Sequence, residues 1–295
     1  ATEIGSASPI SSRRRPRTVP CSRPLTRVTN ACWRCRRARH HCPMVLVPLL
    51  ATASSVTMMH QRLGELTWPE VDGRTVVLAV PVGSCEQHGP HLPLDTDTRI
   101  AVALADALSQ RSHDPASGLP AVLVAPAVAV SASGEHAGFP GTLSIGTEVT
   151  ERLLVELVRS ADWAAGVVLV NGHGGNAAAV TRAVEQSRHD GRSVLSWWPR
   201  VPGGDAHAGR TETSLLLHLA PASIRLDRAV AGRTEPVREL IDELRAHGTR
   251  HVSPAGVLGD PTDATADEGA RIAAQLTDDL CHCVLEWATA TGGDR

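Results

Sequence analysis

Residues 75–97, TVVLAVPVGSCEQHGPHLPLDTD, decide the fold. The first eight are almost wholly apolar and rich in Val, the pattern of a strand buried on both faces, and predict β structure from Thr75 to Val82. Gly83 ends that run. The loop that follows is stiffened by Gly89, Pro90 and Pro93, and it packs Glu86, His88, His91, Asp95 and Asp97 into twelve residues. From Thr98 to Gln110 apolar residues recur at three-to-four spacing, which predicts a helix. A strand, a loop crowded with polar side chains and a helix make the opening unit of a parallel α/β sheet.

Outward from this unit the alternation repeats. Further strands are expected at Ala121–Pro126, Gly166–Val170 and Ser193–Trp197. Helices are expected at Thr147–Trp163, Asn176–Arg188, Glu212–Leu219, Glu235–His247 and Thr265–Ala288. The fold class is therefore α/β, with a mostly parallel sheet flanked by helices. Ligands of such sheets gather where strands end at their carboxyl edge. GSCEQHGPHLPLDTD (83–97), SASGEHAGFPGT (131–142), NGHGGN (171–176) and GGDAHAGRTE (203–212) all fall there.

The first of these loops carries carboxylates and imidazoles, which suit borderline divalent ions such as Zn²⁺, Fe²⁺ and Mn²⁺. A polar loop in which Asp97 caps the following helix is the competing reading. His173, at a strand end among three glycines, tips the balance toward a shared metal site, because one ion accounts for both loops. Asp97 is the candidate bridge between two ions. His207 lies just before a helix and Glu212 within its first turns. His207 suits proton transfer, since an ordinary imidazole titrates near neutral pH; Glu212 is equally at home as an acid beside a helix N-terminus.

Composition narrows the classes. All 29 basic residues are Arg, and they are unevenly spread, with ten against a single acid in residues 1–59 and 19 against 30 acids beyond. An acidic body argues against nucleic acid as a partner. No run approaches the roughly 20 apolar residues of a membrane span. Residues 1–57 show no lasting periodicity and read as a disordered or artefactual Arg-rich extension, followed by one domain at 58–295. Cys32, Cys35 and Cys42 lack the further cysteines of a zinc cluster, and Pro48 interrupts the apolar run after Met44 that otherwise resembles a secretory signal. Seven cysteines, an odd number, fit a reducing cytoplasm rather than a disulfide framework. HExxH, GxSxG, Walker and opening GxGxxG motifs are absent. Cys85 adjoins Glu86 on an extended stretch, so the two point to opposite sides and a Cys85–His88 nucleophilic pair is disfavoured.

PVGSCEQHGPHLPLDTDT, SGEHAGFPGTLSIG, VNGHGGN, DAHAGRTETS and GVLGDPTDATADEG resemble, in order and spacing, the signature segments of the creatininase family over residues 60–290. The resemblance implies a three-layer creatininase-type fold and a metal-dependent amidohydrolase with two divalent ions per subunit. It places metal ligands at Glu86, His88, Asp97 and His173, with Glu212 a further ligand, and catalysis at His207 and Glu212. Ser131, Ser133, Glu135 and Asp205 fall where substrate is bound. A homo-oligomer, such as a hexamer, is also implied. One departure stands out: creatininases proper carry a metal-binding Glu two places after the third-loop His, where this chain has Gly175. GELTWPEV, LPLDTDTRIA and DAHAGRTETSLLLHLAP are most similar to members that act on a ribosomally made precursor peptide and release its cross-linked C-terminal Val-Tyr dipeptide. In that scheme a metal-activated water attacks the amide and His207 protonates the leaving nitrogen. The alternatives are hydrolysis of a small cyclic amide or formamide, and a non-catalytic metal-binding protein.

Overall fold

The computed structural model describes residues 61–292. The readings made for residues 1–57, and the boundary at residue 58, lie outside the described residues. After a short helix α1 (Trp68–Val71) the chain enters β1 (Val77–Val82), and β2 (Val122–Val124), β3 (Gly166–Asn171) and β4 (Val194–Trp197) follow at the expected places. The strands form one sheet of order β2-β1-β3-β4, and every pairing is parallel. All six residues of β1 and of β3 are buried, as their unbroken apolar runs require.

Helices cover both faces. Val77, Ala79, Val168 and Val170 pack on one side with α2 (Thr96–Arg111), α5 (Arg210–Leu219) and the long α8 (Ala266–Gly292). Their alternates Leu78, Val80, Val167 and Leu169 pack on the other with α3 (Thr147–Ser160) and α4 (Ala177–His189). This is the three-layer α/β architecture. Two further helices, α6 (Val237–His247) and the short α7 (Thr249–Val252), complete the chain, with Leu240 and Val252 in a small separate core.

The strand order fixes where a site can form. From β1 the chain moves outward to β2, then crosses back over β1 to β3 and on to β4. The crevice between the carboxyl ends of β1 and β3 is thus the topological switch point, where open α/β sheets bind ligands. The first and third loops leave the sheet there.

Gly269 marks the closest approach of α8 to α5, since a Cβ on it would overlap the backbone carbonyl of Ser214. Gly269→Ala is expected to cost about 1–3 kcal/mol in denaturant unfolding, the usual range for overpacking. Gly64→Ala, with nothing within 4 Å of the added carbon, serves as the neutral control.

Candidate metal centre

Asp97 joins the loops. The helix α2 begins at Thr96, so Asp97 lies inside its first turn and Asp95 occupies the N-cap position. The capping role considered for Asp97 is therefore corrected: Asp95 pairs with Arg99 on the surface, and Asp97 turns inward because its residue type meets two imidazoles there. Its Oδ1 stands 3.0 Å from His88 Nε2, while Oδ2 lies 3.0 Å from His173 Nδ1 and accepts from the Ser84 hydroxyl at 2.7 Å. Burial opposes a charge on Asp97, but the two imidazoles outweigh it and hold the carboxyl well below its usual range. Against its own burial, His88 is raised to about 10 by that same carboxylate.

Glu86 is fully buried, and neither of its oxygens accepts a hydrogen bond. His173 Nε2 and His136 Nε2 stand 3.1 and 3.3 Å from them without hydrogen-bond alignment, and His207 Nδ1 is 3.8 Å away. Burial pushes the Glu86 carboxyl up, and it does the same to Glu212, whose Oε2 lies 3.9 Å from His88 Nε2. Orphaned buried carboxylate oxygens ringed by imidazole nitrogens are what a divalent cation satisfies. Among the described residues, ligand atoms converge in three groups: Glu86, His88 and Asp97; His88, His207 and Glu212; and Glu86, His136 and His207. The donors present thus fit a divalent ion.

His173 sits differently. Its two nitrogens span Asp97 and Glu86, and Nε2 also donates to the Ala132 carbonyl at 2.9 Å, so it joins the carboxylates rather than one of the three groups. Glu135 approaches the same nitrogen at 3.4 Å. A Cβ at Gly175 would overlap both Glu135 Oε1 and His173 Nε2, so the space a side chain would take there is already filled.

Other expected residues serve the frame. The Ser131 hydroxyl donates to Gly83 O at 2.6 Å, whereas buried Ser133 Oγ has no partner. The Asp205 carboxylate accepts from the backbone N–H groups of Arg210 and Thr211 at the start of α5. His91 turns away to the Thr213 hydroxyl at 2.9 Å, and the Cys85 thiol faces Gly141 O. His207 is clamped by paired backbone bonds to Leu258 and packs between His88 and His136, ring centroids 4.4 and 4.5 Å apart. Sequence reasoning missed His136 and Gln87, both buried at the centre. The only signal was the position of His136 beside Glu135 in the second loop.

A cavity of about 230 Å³ opens beside His173 and Glu212, with Trp198, Pro199, Val201 and Leu215 in its wall. A larger cleft of about 740 Å³ carries none of the site's side chains and adjoins the opposite, amino-terminal strand edge at Gly166 and Val194.

The creatininase (creatinine amidohydrolase) family profile matches residues 64–284. This chain belongs to the creatininase family. The mycofactocin precursor peptide peptidase of Mycobacterium tuberculosis (strain CDC 1551 / Oshkosh) is 51% identical over 237 residues, 78% of this chain and 93% of that protein. The creatinine amidohydrolase of Pseudomonas putida is 30% identical over 207 residues, 57% and 75% of the two chains. A solved mutant creatininase superposes with a TM-score of 0.63 at 25% identity, covering 76% of this chain and 97% of its own. As a member of the creatininase family the chain is a hydrolase of amide bonds.

A bound cation adds stability that grows with the logarithm of its free concentration once that exceeds the dissociation constant. At a hundred times its dissociation constant, Zn²⁺, Mn²⁺ or Fe²⁺ is expected to contribute about 2.7 kcal/mol per site, or about 5–10 °C for a domain of this size. Thermal unfolding with each ion and with chelator checks this; a midpoint indifferent to all three ions would count against a metal centre.

Proposed function

We propose that this chain cleaves the amide bond joining a modified C-terminal dipeptide to a ribosomally made precursor peptide. The observation that carries this reading is the 51% identity, over nearly the whole length of the relative, to a mycofactocin precursor peptide peptidase. Glu86, His88, Asp97, His173 and Glu212 would hold the metal, two ions per subunit, with Glu212 supplying the carboxylate that Gly175 does not. Such cations supply Lewis acidity toward the amide carbonyl and lower the pKa of a bound water.

The protein's own groups do the rest. His207, a buried imidazole between His88 and His136, would take a proton from the attacking water. It returns that proton to the leaving nitrogen as the carbon–nitrogen bond breaks, leaving a carboxylate on the precursor and a free amine on the dipeptide. Glu212, with Oε2 3.9 Å from His88 Nε2, would stand beside the reacting groups as a carboxylate. Unpartnered Ser133 is offered to the peptide backbone, and Ser131 and Asp205 shape the rim through their ties to Gly83 and α5. The apolar wall of the cavity beside His173 suits a bulky C-terminal end.

No described helix is long and apolar enough to cross a membrane. A cytoplasmic homo-oligomer accords with the reading, since Trp68, Leu143, Val149 and Trp163 are exposed and apolar. No nucleic-acid partner is part of it.

Mass spectrometry of a cross-linked precursor peptide incubated with metal-loaded protein tests the proposal. Release of the dipeptide with cation and not with chelator is the expected result, with creatinine left intact in a parallel sample. Release that persists in chelator, or preferential turnover of creatinine, would overturn it. His207→Ala is expected to lower kcat about 10²–10⁴-fold while metal content, read by elemental analysis, stays at the wild-type level.

A further inference from the structure

The Gln87 side chain lies at the middle of the imidazole cluster, and its two ends are fixed independently. Oε1 accepts from the backbone N–H of Gly89 at 2.9 Å, so that atom is oxygen. Nε2 faces the backbone carbonyl of Gly256 at 3.0 Å, so that atom is the amide nitrogen. The nitrogen carries two protons. One goes to Gly256 O. Two imidazole nitrogens compete for the other, His136 Nδ1 at 2.8 Å and His207 Nε2 at 3.0 Å.

A second contact decides between them. His207 Nε2 also lies 2.9 Å from the Gln87 backbone carbonyl, which can only accept. His207 Nε2 must therefore carry a proton, which it gives to Gln87 O, and cannot take one from the amide. The remaining amide proton goes to His136 Nδ1. A ring nitrogen that accepts carries no proton, so His136 is a neutral ring with one proton, and His207, buried between two further imidazoles, is likewise a neutral ring. With Nδ1 accepting, the His136 proton is on Nε2, the nitrogen 3.3 Å from Glu86 Oε1. With Nε2 donating, the His207 lone pair is on Nδ1, the nitrogen 3.8 Å from the same oxygen.

We propose that Gln87 is a positioning residue that sets both tautomers, keeping His136 as an Nε2–H donor toward Glu86 and outside the metal ligand set, and presenting His207 to the reaction through Nδ1. Glu86, His136 and His207 look alike as a trio of donors, yet only two of them have a lone pair to give. Imidazole tautomers are set in this way by the partner of the other nitrogen. The catalytic part of the proposal rests on the peptidase reading above; the tautomers rest on the hydrogen-bond geometry alone.

The test is nitrogen NMR of the metal-loaded full chain labelled with ¹⁵N-histidine, with His136→Gln and His207→Gln used to assign the signals. Protonated Nε2 on both rings, and a His136 Nδ1 that is neither protonated nor metal-shifted, is the expected pattern. A proton on His136 Nδ1, or a metal-shifted His136 Nε2, would overturn it. Elemental analysis gives a second reading: His136→Gln should keep the wild-type metal content, and loss of an ion would make His136 a ligand after all. Gln87→Met removes the amide protons at similar volume. It should mix the tautomers of both rings and lower kcat at least tenfold with KM within about threefold, and unchanged tautomers with unchanged kcat would remove Gln87 from the proposal. If the wild-type protein shows the expected tautomers and does not cleave the precursor peptide, the functional reading fails and the tautomer assignment stands.

Discussion

Burying the Asp97 carboxylate between His88 and His173 is the constraint on which the site depends. A charge in the interior is tolerated only when it is paired and hydrogen-bonded, and Asp97 meets that demand with three partners from two loops: Ser84 and His88 from the loop after β1, and His173 from the loop after β3. The carboxylate can reach them because it projects from the first turn of α2, itself anchored by buried Ile100, Leu104 and Leu108. The apolar packing of one helix thus aims the group around which the polar centre is arranged.

Around that group the loops are held to one another by side-chain hydrogen bonds to backbone. Asn176 donates to Gly83 O and to Asn171 Oδ1 and accepts from Ala132 N, tying the first, second and third loops together. Ser131 adds a bond to the same Gly83 carbonyl. The segment after α7 contributes from a distance, because Leu258 pairs with the backbone of His207 and Gly256 O fixes Gln87. Buried networks of this kind give rigidity only when nearly every member is satisfied. Among the described residues the exceptions include both oxygens of Glu86, Ser133 Oγ and His91 Nδ1 in the loops, and the hydroxyls of Ser187 and Ser193 away from them.

Much of this was legible in the sequence because it depends on local pattern. The Val-rich runs gave β1 and β3 to within a few residues, and the three-to-four spacing of Ile100, Leu104 and Leu108 gave α2. Glu86, His88 and Asp97 were readable as a group because one stiff loop presents them. The misses are all matters of partners distant in sequence. Asp97, read as the candidate bridge, kept a competing reading as a helix cap because its partner His173 lies 76 positions on. His136 gave no sign of meeting Gln87, 49 positions away, and nothing local announced that the Asp205 carboxylate accepts from the amides at the start of α5. Gly175 read as a missing ligand, and the structure gives the local reason: Glu135 and His173 fill the volume above it.

The chain is similar both to a relative named for a precursor peptide and to one named for creatinine, so one family hydrolyses different amides. Activation of water and polarisation of a carbonyl act on any amide that reaches the ions. Discrimination has to come from groups that touch the parts of the substrate that do not react. The cavity between His173 and Glu212 is walled in part by Trp198, Pro199 and Val201, which come from the segment between β4 and α5. That segment is held at the sheet by Trp197, whose indole donates to Asp279 of α8 at 2.7 Å. New side chains on that connection would reshape the cavity wall of this chain without disturbing the sheet, Asp97 or the imidazoles.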